Sequence, residues 1–173
     1  MENFTNETID TNQLPKFEEV TFTRLHSNYI KVVVINLVLI IGMLILAPAI
    51  ISILEPKLFS GRVLLILGVI IPLLSALIIV FSIIGFQKKR FAFRDHDVLF
   101  KHGIIAENTI VIPYNRIQHV ALHEGLVSRY FGLAKIEIFT AGGSSSDIEI
   151  PGIEKEHAEN IKQLLMGKIQ KQL

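Results

Sequence analysis

The chain contains no cysteine. That absence excludes disulfides, thiolate metal sites, iron–sulfur clusters and a cysteine nucleophile, and it leaves the redox compartment open. A surplus of charge is missing as well: 17 Lys and Arg stand against 16 Asp and Glu, a formal net charge of +1. Phosphate-backbone binding needs a clustered basic face, so nucleic acid is not an expected partner. A third absence is local. No ionisable side chain occurs from Val32 to Ile53 or from Val63 to Phe86. Ion and proton pathways usually rely on carboxylate, His or Arg side chains facing a cavity, so neither a transporter nor a pump is expected.

What the chain does have is apolar length. Half of its 173 residues are hydrophobic, and the excess is concentrated in Val32 to Phe86. Val32 to Ile53 is 22 residues and Val63 to Phe86 is 24. As helices they reach roughly 33–36 Å, enough to cross a hydrocarbon core of about 30 Å with some tilt. Asn36, Pro48, Pro72 and Ser75 interrupt the runs, and a neighbouring helix can satisfy the backbone groups that such residues free. Acidic residues such as Glu2, Glu7, Asp10, Glu18 and Glu19 precede the first run, unlike the short basic start of a cleaved signal peptide, so both runs are expected to persist.

The nine residues from Leu54 to Arg62 carry Glu55-Pro56 and Ser60-Gly61, a connection short enough to force an antiparallel hairpin. Lys16, Arg24, Lys31, Lys88, Lys89, Arg90, Arg94 and Lys101 lie on the terminal side, against Lys57 and Arg62 in the loop. Eight bases against two place both termini in the cytoplasm. Gly61, Gly68, Ser75 and Ser82 recur every seven residues, a seam of small side chains that admits a close helix: the first span, or a second copy of the chain.

Residues 87–173 carry 12 basic and 10 acidic side chains and change period. Lys135-Ile136-Glu137-Ile138 and Asp147-Ile148-Glu149-Ile150 alternate as strands do, and Ile110, Ile112, Ile117 and Val120 belong to others. Asp95-His96-Asp97, Glu107-Asn108 and the loop 141–146 supply turns. After Pro151-Gly152, the residues Ala158, Ile161, Leu164, Leu165 and Ile169 fall at helical spacing, with Glu154, Glu156 and Glu159 early and Lys162, Lys168 and Lys171 late. The expected fold is therefore α+β: a two-helix transmembrane hairpin, then six or seven antiparallel strands capped by a C-terminal amphipathic helix, which is the element order of a pleckstrin-homology-like (PH-like) β-roll. Residues 1–31 form a juxtamembrane segment, 32–86 the hairpin and 87–173 the PH-like domain.

Three stretches carry a family resemblance: Ile112-Pro113-Tyr114-Asn115-Arg116-Ile117-Gln118-His119-Val120, then Glu124 to Ala134, then Thr140-Ala141-Gly142-Gly143. In order and spacing they resemble the bacterial PH-like membrane proteins of the YdbS-like type, over about residues 87–152. The resemblance implies a PH-like fold at the bacterial cytoplasmic membrane, no reaction and no cofactor. It also implies a companion gene, often a genomic neighbour, for a larger membrane protein with several such domains, a candidate protein partner. Eukaryotic PH domains bind phosphoinositides through a basic first hairpin; here Arg94 and Lys101 alternate with Asp95 and Asp97.

Strand alternation sets Arg116 and Gln118 on one face and His119 on the other, as ties between loops or as ligand- or partner-facing residues. His119 and His123 would stand about 13 Å apart on a strand, too far to share a metal. Gly125 to Gly132 reads as a short helix that either plugs the core or sets Arg129 and Tyr130 against lipid headgroups. The basic run Lys88, Lys89 and Arg90, with Arg94, would lie at an anionic leaflet. The loop 141–146 has the glycines of an anion nest but lacks the lysine and following helix of a phosphate loop. Its serines, with Asp147 and His119, have no nucleophile elbow, so catalysis is not expected. Two readings stand: a noncatalytic interaction module bound to a protein partner, or a module that senses anionic lipid or a small anion.

Overall fold

The structure is a computed structural model and describes residues 19–58, 60–141 and 147–170. Lys16, Lys171 and the glycine- and serine-rich loop 142–146 lie outside the described residues.

Two long apolar helices come first, α1 (Tyr29–Leu54) and α2 (Gly61–Lys88). Each outruns its uncharged stretch by a few residues, because nothing between Tyr29 and Val32 or between Phe86 and Lys88 opposes helix. Helix α1 stops at Glu55, whose backbone is pushed to φ −131° and ψ 72°, in keeping with the restriction that the following Pro56 imposes. Pro48 and Pro72 sit inside the two helices. Of the small-residue seam, Ser75 is buried in the hairpin, whereas Gly61 and Gly68 face open space.

Seven strands make two antiparallel sheets: β1 (Thr23–Arg24), β2 (Arg90–Phe93), β3 (Asp97–His102) and β4 (Asn108–Pro113) in sequential order, then β5 (Ile117–His123), β6 (Leu133–Thr140) and β7 (Ile148–Glu154). Six of them fall in residues 87–173. The seventh, β1, precedes the membrane helices and pairs Thr23 with Phe91 and Arg24 with Arg90.

The inner faces meet in one core. Phe91, Val98, Phe100 and Ile112 from the first sheet pack with Val120, Ile136, Ile138, Ile148 and Ile150 from the second. Leu25, from the segment before α1, joins them. Helix α4 (Lys155–Gln170) closes the core with Ala158, Ile161 and Leu165, while Leu164 of the same stripe stays half exposed. A short helix, α3 (Leu126–Tyr130), links β5 to β6 and packs beside α1.

Candidate functional site

The segment Pro113 to Val120 departs from simple alternation. Tyr114 to Arg116 form one 3-10 turn rather than strand. The pairing of β5 with β6 then slips between Ile117 and His119, which leaves Gln118 as the extra residue of a β-bulge. Ile117 and Val120 are both buried as a result, and Arg116, Gln118 and His119 are all exposed. The expected split between Arg116 with Gln118 and His119 is thereby overturned: the bulge puts Gln118 and His119 on the outside together. His119 stacks on Phe139, with ring centroids 4.1 Å apart and 14° between planes.

The anchor of this segment is Tyr114, which the sequence offered only as part of a motif. It is buried, and its hydroxyl donates to the Arg94 carbonyl at 2.5 Å. Burial first, and the nearby Asp97 and Asp95 next, push its pKa up to about 12. Lys168 of α4 sits 5.9 Å from the centre of its ring.

Strand β4 ends the first sheet and β5 ends the second. Between β4 and the end of β6 opens a cavity of about 460 Å³ lined by Ile110, Val111, Ile112, Arg116, Thr140 and Asp147, among others. The Asp147 carboxylate accepts from the Thr140 hydroxyl at 2.7 Å and from its backbone N–H at 2.8 Å. Those two bonds, with a smaller electrostatic contribution from Arg116, hold Asp147 below the usual carboxylate range. Asp147 is thus bound into the β6–β7 connection.

The basic run at the end of α2 is divided between two recesses. Lys89 turns toward a cavity of about 630 Å³ beside Tyr29, Phe81, Phe86, His102 and Ile104. Burial lowers its pKa, and the Nδ1 atom of His102 is buried there without a hydrogen-bond partner among the described residues. Lys88 and Arg90 turn the other way, into a cavity of about 410 Å³ shared with Arg24, Lys101, Glu107, Ile84 and Gln87. Glu107 bridges Lys88 and Lys101, each at 2.7 Å, and the two ammonium groups draw its pKa down to about 2.

Arg94 is not with them. It lies at the far end of β2, paired to Asp97 with Nε to Oδ1 at 2.6 Å, and it belongs to the β2–β3 turn. Arg24 and Lys101, which do join the run, were not grouped with it in sequence. Their signal is the strand register, which sets both of them against Arg90.

In α3, Leu126 and Tyr130 are each 84% exposed, so the segment is no core plug. Arg129 is exposed beside them. Phe131 packs edge-on against Tyr130 and lies under Lys31 of α1, 5.8 Å from its ring centre. Arg129 and Tyr130 therefore stand next to the start of a membrane helix, apart from Arg116, Gln118 and His119.

The model of the bacterial PH domain family matches residues 17–169. Over 92 residues the chain is 29% identical to the UPF0699 transmembrane protein YdbS of Bacillus subtilis, a stretch covering 52% of this chain and 56% of that protein. It is 31% identical over 88 residues to the UPF0699 transmembrane protein YdbT of the same organism, covering 50% of this chain and 18% of that protein. The matched stretch spans about half the length of YdbS and less than a fifth of YdbT. No solved structure matches the chain. The family match runs from the residues just before β1 into the last turn of α4, so it takes in the apolar hairpin and both sheets together: this chain belongs to the bacterial PH domain family.

Proposed function

We propose that this membrane-associated PH-like module is a noncatalytic scaffold whose open β4 edge receives an extended segment of a protein partner. The observation that carries the reading is the cleft along β4, whose far wall is Arg116, Thr140 and Asp147. Among the described residues strand β4 has a partner on one side only, β3, and Val111 stands 43% exposed along the cleft. An unpaired edge presents backbone donors and acceptors to a second chain, and flanking side chains select which chain it takes. Here the selection is mixed: Val111 is apolar, while Arg116 and Asp147 offer one charge of each sign.

A noncatalytic role agrees with the state of the side chains nearest to chemistry. His119 is stacked on Phe139, and Asp147 is engaged by Thr140. The partner class we propose is a larger membrane protein with several PH-like domains, the companion that the resemblance implies. The location we propose is the bacterial cytoplasmic membrane with both termini inside, on the bias of basic residues toward the terminal side.

Purification of the intact protein from its native membrane tests this. A specific companion that survives high salt is expected with the parent chain. It should be lost with Val111→Asp and weakened with Arg116→Glu, while both variants remain folded in the membrane. No companion, or one indifferent to both substitutions, overturns the reading.

A further inference from the structure

The recess beside the end of α2 holds an arrangement that the fold does not need. Strand register puts Arg24 opposite Arg90, and Arg90 opposite Lys101. Residues directly opposite share a face, and these three share the one turned away from Phe91 and Phe100, which enter the core. Three cations therefore stand side by side across three strands, and Lys88 joins them from the last turn of α2.

Like charges directly opposite one another destabilise a sheet. Among the described residues Glu107 is the one carboxylate lining the recess, and its bonds go to Lys88 and Lys101. Among the described residues Arg24 and Arg90 have no ion-pair partner. Its described lining thus carries four cations against one anion, and its two guanidinium groups present planar forks suited to phosphate oxygens. A row that weakens the sheet, left unneutralised around a cavity of about 410 Å³, is an incomplete charge balance.

Its position indicates what completes the balance. The uncharged stretch of α2 ends at Phe86, and Ile84 and Gln87 of its last turns form one wall of the recess. That level is where a membrane helix leaves the hydrocarbon and lipid phosphates begin. We propose that this recess holds a phosphate-bearing anion, supplied by the headgroup of an anionic phospholipid in the leaflet facing the domain, with Arg24 and Arg90 as its principal ligands. This rests on the membrane position of α2 and not on the occupancy of the β4 edge.

The test uses the full chain in neutral detergent. Native mass spectrometry follows the retention of phosphatidylglycerol against phosphatidylcholine, with and without millimolar inorganic phosphate. The parent chain should retain the anionic lipid about tenfold better or more. The Arg24→Gln, Arg90→Gln double variant should lose that preference, and Lys162→Gln, on exposed α4, should keep it. In the absence of lipid the double variant should melt no lower than the parent, because it removes repelling charge; a merely structural role for these arginines would lower the melting temperature. Displacement of the lipid by inorganic phosphate would assign the site to the phosphate group itself, and resistance to it would assign the whole lipid. Equal retention of the two lipids by the parent chain with no stabilisation by phosphate, or an unchanged preference in the double variant, overturns the proposal.

Discussion

Gly152 sits in β7 at φ +65°, and a Cβ added there would come within 2.4 Å of the Tyr29 ring. The backbone at this point does two things. It takes a left-handed conformation that side chains resist, and it forms the floor on which the first residue of α1 rests. The N–H of His26 donates to the Gly152 carbonyl at 2.8 Å, and Tyr29 also meets Phe86 of α2 with centroids 6.1 Å apart. Gly132 offers an internal comparison, since its φ is +67° but a Cβ there would meet nothing within 4 Å. Gly132→Ala is expected to cost about 1–2 kcal/mol from conformation alone. Gly152→Ala should cost more, and Tyr29→Ala in the same chain should recover the excess. Thermal melts of the parent chain and these three variants in detergent check this, and equal losses for Gly132→Ala and Gly152→Ala would show that Tyr29 does not depend on Gly152. None of this was legible in sequence, where Pro151-Gly152 reads simply as the end of a strand. Tyr114 was likewise visible only as a motif letter, because its role depends on a carbonyl twenty residues earlier in the chain.

Among the elements, those with a strong period were readable and those shaped by register were not. The two membrane helices and α4 follow from apolar length and from helical spacing, and β6 and β7 follow from alternation. Strand β1 has two residues, too few to show a period, and exists because β2 offers it an edge. The bulge at Gln118 conceals the true facing of the β5 motif. Helix α3 was visible as an apolar turn, but its surroundings were not: it packs beside α1 and leaves Leu126 and Tyr130 outside. Ile105, in the β3–β4 turn, is 93% exposed, and the neighbouring Ile104 lies against Gly85 of α2. Exposed apolar side chains beside both membrane helices match the chemistry of the bilayer interface. The chain lacks cysteine, so a single Leu126→Cys or Ile105→Cys gives a unique labelling site. An environment-sensitive dye at either position is expected to shift to the blue in vesicles and to be quenched by brominated lipids, whereas a dye at Glu156→Cys on α4 is not. Indistinguishable spectra at the three sites would mean that α3 and the β3–β4 turn stay in water.

Taken as a whole molecule, the protein closes one sheet with strands from both sides of its membrane hairpin. Thr23 and Arg24 precede α1, Arg90 and Phe91 follow α2, and their pairing brings the two flanks of the hairpin together. In sequence, residues 1–31 read as a separate juxtamembrane segment, because a two-residue strand and one Leu give no periodic signal. Leu25 is nonetheless 6% exposed and part of the core. Residues 87–173 on their own would lack that side chain and expose the edge of β2 that Thr23 and Arg24 cover. Burial of a leucine contributes about 1.5–3 kcal/mol, and the lost strand hydrogen bonds about 0.5–1.5 kcal/mol each. A chain in which a flexible glycine–serine linker replaces the hairpin, joining residues 19–31 to residues 87–173, should therefore melt about 10 °C or more above residues 87–173 alone. Leu25→Ala in the linked chain should remove a large part of that gain. Were the two soluble chains to melt together, the segment before α1 would contribute nothing to the domain, and the hairpin would be an anchor with no structural tie to it through β1.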